Sequence, residues 1–134
     1  MTRRKMRENI FILIFSSFFS DGGTDELLQQ AGDCEFITLS EEVVSIFTDI
    51  IKIKNELDEQ IRPHLKKWTI ARISRVSLAV LRLAIYELLK FTEIDKPIII
   101  NEAVELMKKY STQEDAAFVN GVLGSFIKKD DRNE

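Results

Sequence analysis

The sequence predicts a single all-α domain. Its 134 residues fit one domain, and only five glycines and two prolines leave few sharp turns, which favours helices over a β-sandwich. The longest dense apolar run lies between Ser74 and Phe91. Because a helix over this run has almost no polar face, we expect it at the centre of the core. Hydrophobic residues form 45% of the chain, which is enough for such a core.

The central helix carries one polar stripe. Arg72, Arg75, Arg82 and Tyr86 fall on one line at helical spacing, so the helix is expected to reach the surface along that line. The alternative is that these arginines pair with Glu87, Glu93 or Glu102.

Residues 3–19 predict a helix, with Thr2 as its N-cap. The residues expected to be buried are Ile10, Phe11, Leu13, Ile14, Phe15 and Phe18. A signal peptide is disfavoured, because Glu8 and Asn9 stand where its apolar region would begin and no Ala-x-Ala-like site follows. The apolar run is also too short to span a bilayer.

The start of this helix is basic, with Arg3, Arg4, Lys5 and Arg7 and no acid among residues 1–7. Positive charge in a first helical turn opposes the helix dipole, which favours anions there. We therefore expect an anionic partner that supplies the missing negative charge. The alternative is a frayed, solvated N-terminus.

The remaining helices are marked by caps and breaks. Ser40 and Thr112 are expected N-caps, each followed by two acids that suit the helix dipole. A break is expected near Asn55, and Pro63 is expected to kink or end its segment. Helices after the first are expected over residues 25–30, 40–53, 56–65, 74–91, 98–110 and 113–127.

Chemistry-bearing patterns are few. Asp58 is expected to face solvent, His64 has no partner nearby in sequence, and Cys34 has no neighbouring base. The chain has no phosphate-cradling glycine loop, HExxH, CxxC or GxSxG motif. We therefore expect no enzymatic activity, metal or cofactor. A single cysteine is consistent with a reducing cytoplasm.

Three segments together resemble the NusB family of transcription antitermination factors. The first two are RRKMRENIFILIF from Arg3 and VLRLAIYELL from Val80. The third and most specific is a C-terminal pair, in which Pro97 is followed by INEAVELMKKYS from Ile100 and then by FVNGVL from Phe118. The resemblance implies about seven helices in two packed small bundles. The N-terminal subbundle would cover residues 1–66, the C-terminal subbundle 67–129, and a charged tail 130–134.

The resemblance also implies a binding protein. Its partners would be boxA-type single-stranded leader RNA and the ribosomal protein NusE, with RNA polymerase elongation complexes engaged indirectly and no membrane involved. This activity would support ribosomal RNA transcription.

Site residues follow from the resemblance position by position. Phe15 stands where many relatives carry Tyr, and Ser77 where they often carry a charged residue on the NusE side. The residues expected to hold the C-terminal helices together are Asn101, Glu102, Asn120 and Gly121. The residues matching RNA-binding positions are Arg3, Arg4, Lys5, Arg7, Phe15, Arg82, Tyr110 and Phe118, and the partner-binding candidates are Ser77, Glu87 and Glu114.

Other interpretations remain open at this point. Arg82 and Glu87 could form a structural ion pair, and Phe118 could be a core aromatic. The chain could be a helical scaffold that binds only protein, or a detached accessory domain of a ribosomal RNA methyltransferase. Apolar residues such as Phe19 and Ile37 would favour a homodimer if they are exposed.

Overall fold

The computed structural model describes the backbone of residues 1–132 and the side chains of residues 1–129. Over this range the chain forms seven α-helices and one short 3-10 helix, and no strand. The prediction of an all-α fold with about seven helices is confirmed. The helices are α1 Arg3–Ser17, α2 Thr24–Gly32, α3 Glu41–Lys52, α4 Lys54–Ile61, α5 Arg75–Lys90, α6 Lys96–Tyr110 and α7 Gln113–Arg132, with the 3-10 helix at Arg62–His64.

The chain divides into two compact units, Met1–Ile53 (unit 1) and the part that begins at Lys54 (unit 2). The sequence placed this boundary after residue 66. The structure places it earlier because α4 packs against α5, which belongs to the second unit.

Unit 1 is built around α1, which packs against α2 and α3. The predicted caps are confirmed: Thr2 Oγ1 accepts a hydrogen bond from Lys5 N at 3.1 Å, and Ser40 Oγ accepts one from Val43 N at 3.1 Å. The buried apolar residues of α1 and α3 are Met6, Ile10, Phe11, Leu13, Ile14, Val43, Ile46, Phe47 and Ile50.

Unit 2 is organised around α5, which contacts α4, α6 and α7. Ser74 Oγ accepts a hydrogen bond from Ser77 N at 3.0 Å and caps the helix, and every residue from Ser77 to Leu88 is buried. The expected central helix is therefore confirmed. Thr112 Oγ1 accepts from Asp115 N at 3.0 Å, which confirms the predicted cap of α7.

Several element ends differ from the sequence prediction. The break before α4 falls at Ile53, α4 ends at Ile61, and Pro63 lies within the 3-10 helix, where its missing N–H is tolerated. The helix α7 continues to Arg132, so residues 130–132 are helical and not part of a tail, while 133–134 lie outside the described residues.

Gly121 does not provide close helix packing, contrary to the sequence expectation. A Cβ atom added at this residue would meet no neighbouring atom within 4 Å, and Asn120 beside it is exposed. Among residues 1–132, no helix combines the length and apolarity that crossing a membrane requires.

Candidate nucleic-acid interface

The basic end of α1 is the most positively charged part of unit 1. Arg3, Arg4 and Lys5 are exposed, and the first turn of the helix holds no acid. Lys5 Nζ lies 3.5 Å from Glu8 Oε1 one turn later. The cluster therefore presents cations at the positive end of a helix dipole, an arrangement that favours a bound anion.

Arg7 departs from the other three basic residues. Its side chain is only 4% exposed, on the same buried side of α1 as Ile10 and Ile14. Asn9 is also buried, and its Nδ2 donates to Met1 Sδ at 3.3 Å. Arg7 is thus less accessible to RNA than the resemblance implied.

Phe15 belongs to an aromatic cluster at the end of α1. Its ring is stacked on Phe11 with centroids 6.1 Å apart and meets Phe19 edge to face at 5.1 Å. Phe15 is half-buried, whereas Phe19 is 67% exposed.

A groove of about 460 Å³ in unit 1 is lined by Phe19 and by Cys34, which is half-buried.

Arg82 lies inside unit 2, contrary to the expected surface stripe. Its Nε donates to Asp58 Oδ1 at 2.9 Å and its Nη2 to Asp58 Oδ2 at 2.8 Å. Both side chains are about 9% exposed, so the expectation that Asp58 faces solvent is wrong. Two nitrogens of the guanidinium group are hydrogen-bonded to this carboxylate. The pair is therefore a structural ion pair, and Arg82 is poorly accessible to RNA.

Two of the three predicted partner-binding residues are buried. Ser77 is 1% exposed, and its Oγ accepts a hydrogen bond from Ser74 Oγ at 2.8 Å. Glu87 is 3% exposed near the end of α5. Direct contact with a partner requires a side chain at the surface, whereas both of these residues are buried in unit 2.

The remaining predicted residues are accessible. Tyr110 is exposed at the end of α6, with Lys109 Nζ 5.5 Å from its ring centroid. Glu114 is exposed in the first turn of α7, and Phe118 is half-buried one turn later. These positions suit contact with a ligand better than Arg82 does.

A groove in unit 2 brings three predicted residues together: Phe118, Glu114 and, at its floor, Ser77. Its volume is about 380 Å³, and Trp68 and Arg72 complete one side. Trp68 meets Phe118 edge to face, with ring centroids 6.5 Å apart. Sequence reasoning missed the role of Trp68 here because 50 residues separate the two rings.

His64 has a partner that sequence reasoning also missed. Its Nδ1 and Ser125 Oγ share a hydrogen bond of 2.7 Å across 61 residues of chain. The ring meets Phe126 edge to face at 5.7 Å. Burial lowers the pKa of His64, and the positive charge of Lys129 lowers it further.

The described residues contain no group of three or more His, Cys, Asp or Glu side chains able to hold a metal ion.

Comparison with known proteins gives a consistent result. The NusB family model matches residues 4–128. A transcription antitermination protein NusB of Clostridium botulinum (strain Loch Maree / Type A3) is 38% identical over 141 residues, covering 95% of this chain and all of that protein.

Solved structures agree with the fold. The chain is similar to NusB of T. maritima, with a TM-score of 0.84 and 33% identity over 96% of this chain and 92% of that one. It is also similar in fold to a chain in a crystal structure of antitermination factors NusB and NusE in complex with dsRNA, with a TM-score of 0.82 and 24% identity over 95% of this chain and 96% of that one.

Proposed function

The chain belongs to the NusB family, and we propose that it is a transcription antitermination factor that binds boxA-type single-stranded RNA through the basic end of α1. The RNA would be bound together with NusE, and elongating RNA polymerase would be engaged indirectly, in support of ribosomal RNA transcription. The protein would act in the cytoplasm by binding and not by catalysis.

The observation that carries this proposal is the basic end of α1. Arg3, Arg4 and Lys5 are exposed at a helix N-terminus whose first turn holds no acid. Such an arrangement is unfavourable by a few tenths of a kcal/mol per charge unless an anion is bound. An RNA backbone supplies phosphates at a spacing that several cations can follow.

The other candidate residues divide by accessibility. Tyr110 and Phe118 offer ring surface to unstacked bases, and Glu114 is exposed beside them. Phe15, half-buried, offers less ring surface in unit 1.

Buried residues of the candidate set would act indirectly. Arg82 and Asp58 fix α5 against α4, and Ser77 takes part in the cap of α5. Arg7 and Glu87 lie on buried helix faces. These residues would support the shape of the binding surfaces without touching RNA or NusE.

The test is binding of a short boxA-like RNA, with and without purified NusE, beside a scrambled RNA. We expect boxA to bind more tightly, more so with NusE, with an affinity that falls steeply as salt rises. R4A should reduce the salt slope by about 1. K52A, which removes an exposed charge elsewhere in unit 1, is the matched control.

Two outcomes would contradict the proposal. Equal, weak binding of both RNAs whether or not NusE is present would reduce the basic end of α1 to a nonspecific cationic segment. Binding of NusE without any RNA effect would instead identify a protein-binding scaffold.

A further inference from the structure

We propose that the groove between Trp68 and Phe118 in unit 2 is an additional RNA contact, which stacks a nucleobase on Trp68 and binds the adjoining phosphate at Arg72. This inference rests on the proposed RNA-binding function and extends it to residues outside the basic end of α1. This aromatic groove is lined by Trp68, Arg72, Ser77, Glu114, Asp115 and Phe118, with Ile73 and Ser74 beside them.

The sequence segment that contains Trp68 is rich in basic residues. No acid occurs between Glu59 and Glu87, a stretch that contains six lysines and arginines. In contrast, no lysine, arginine or histidine occurs between Arg7 and Lys52. The sequence segment around Trp68 therefore carries an excess of positive charge, which attracts a polyanion. The exposed cations of the segment are Arg62, Lys66, Lys67, Arg72 and Arg75.

The backbone holds Trp68 in a defined position. Lys66 has φ 58°, which makes it the one non-glycine residue with positive φ among those described. This left-handed conformation, which is unfavourable for a lysine, turns the chain directly after the buried Leu65. Trp68 N donates to Leu65 O at 3.0 Å, and Ile73 N donates to Thr69 O at 3.2 Å. The segment is therefore ordered before a ligand arrives, which lowers the entropic penalty of binding.

Trp68 leaves a large aromatic surface uncovered. Its side chain is 47% exposed, although Phe118 packs against it at an interplanar angle of 74°. An edge-to-face neighbour fixes the indole ring without covering all of it. Stacking on an exposed aromatic ring is the usual way in which proteins bind unpaired bases.

The acidic wall of the aromatic groove determines which part of a nucleotide faces it. The Asp115 carboxylate is already engaged, since it accepts a hydrogen bond from Ser111 Oγ. Glu114 is exposed, and its carboxylate repels phosphate but accepts hydrogen bonds from the exocyclic amino group of a base such as cytosine. The base therefore lies toward Glu114 and the phosphate toward Arg72, which predicts preference for cytosine over uracil.

The chain supplies its own probe, because Trp68 is the sole tryptophan. We would titrate the full chain with single-stranded oligocytidine or oligouridine RNA, recording tryptophan fluorescence together with the anisotropy of the labelled RNA. The expected result is fluorescence quenching that follows the anisotropy change, with tighter binding of oligocytidine. The expected difference disappears in E114A, which removes the carboxylate that accepts from the amino group.

Variants separate stacking from general charge. W68A should weaken binding by about tenfold, as expected for the loss of one stacked base, and W68F should restore most of the affinity. R72A should lower the salt slope by about 1. K90A is the matched control, since Lys90 is an exposed lysine of unit 2 that lies outside both this basic segment and the groove, and it should bind as the parent does.

The outcomes distinguish this inference from the proposed function. RNA binding by anisotropy without quenching, and with W68A unchanged, would overturn the aromatic groove while leaving the basic end of α1 as the RNA contact. No anisotropy change with any RNA, including boxA, would overturn both. Quenching by purified NusE but not by RNA would make the groove a protein-docking surface and refute the nucleobase site.

Discussion

Arg82 and Asp58 form a two-point ion pair inside unit 2, with hydrogen bonds of 2.9 and 2.8 Å between α5 and α4. The two residues are 24 positions apart in sequence, and both side chains are about 9% exposed. The pair connects the central helix α5 to α4, the first helix of its unit.

We expect D58N to lower the free energy of unfolding by about 3–5 kcal/mol, because it leaves a buried guanidinium without its carboxylate. Chemical denaturation followed by circular dichroism measures this change. The matched control is E59Q, which alters an exposed carboxylate on the neighbouring residue and should change stability by less than about 1 kcal/mol. Similar small effects from both variants would show that the buried pair contributes little.

The basic residues of α1 should separate into two classes. R4A, at an exposed position, should change stability by less than about 0.5 kcal/mol. R7A should destabilise the protein by about 1–3 kcal/mol, because Arg7 is buried and its aliphatic stem is packed. Denaturation midpoints measure both effects. If R7A is as stable as the parent yet weakens RNA binding, Arg7 contacts the RNA directly.

The glycine at position 121 should be replaceable with a gain in stability. A Cβ atom there meets nothing within 4 Å, and alanine is favoured over glycine in a helix by about 1 kcal/mol. We expect G121A to raise the free energy of unfolding by about that amount in thermal or chemical denaturation. G124A, another position with open space for a Cβ, provides the comparison. A loss of stability in G121A would mean that the space is occupied in solution.

Stability should also depend on pH through His64. Burial lowers its pKa below the ordinary value of 6.5, so the unfolded chain binds a proton more readily than the folded one. The folded state is then fully favoured above about pH 6.5 and loses stability as the pH falls through that value toward the lowered pKa. Denaturation at several pH values measures this slope.

The variant H64Q tests that assignment, because His64 is the sole histidine. Its stability should be nearly independent of pH around pH 6.5, whereas carboxylates titrate at lower pH in both proteins. A slope that persists unchanged in H64Q would exclude His64 as its source.

Local features were predictable from the sequence, and distant pairings were not. Thr2, Ser40 and Thr112 were identified as caps because a capping hydroxyl acts on residues only two or three positions away. The burial of α5 was equally predictable, since nearly all of its residues are apolar. These signals located most helices to within a few residues.

The partner of a buried polar group depends on the tertiary fold. Nothing near Asp58 in sequence indicates Arg82, and nothing near His64 indicates Ser125. The same reason explains why Ser77 was expected at a surface: the resemblance matched it to a partner-binding position, but its burial depends on the tertiary fold. Gly121 shows the converse, since a glycine in a helix does not reveal whether its face is packed or open.

The division into two units gives the unmodified chain a spectroscopic use. Its one cysteine, Cys34, lies in unit 1, and its one tryptophan, Trp68, lies in unit 2. A dye on the thiol that accepts energy from indole would therefore form a donor–acceptor pair spanning both units without any engineered residue. The efficiency of energy transfer, followed while RNA or NusE is added, would report directly on whether binding changes the distance between the two halves of the molecule.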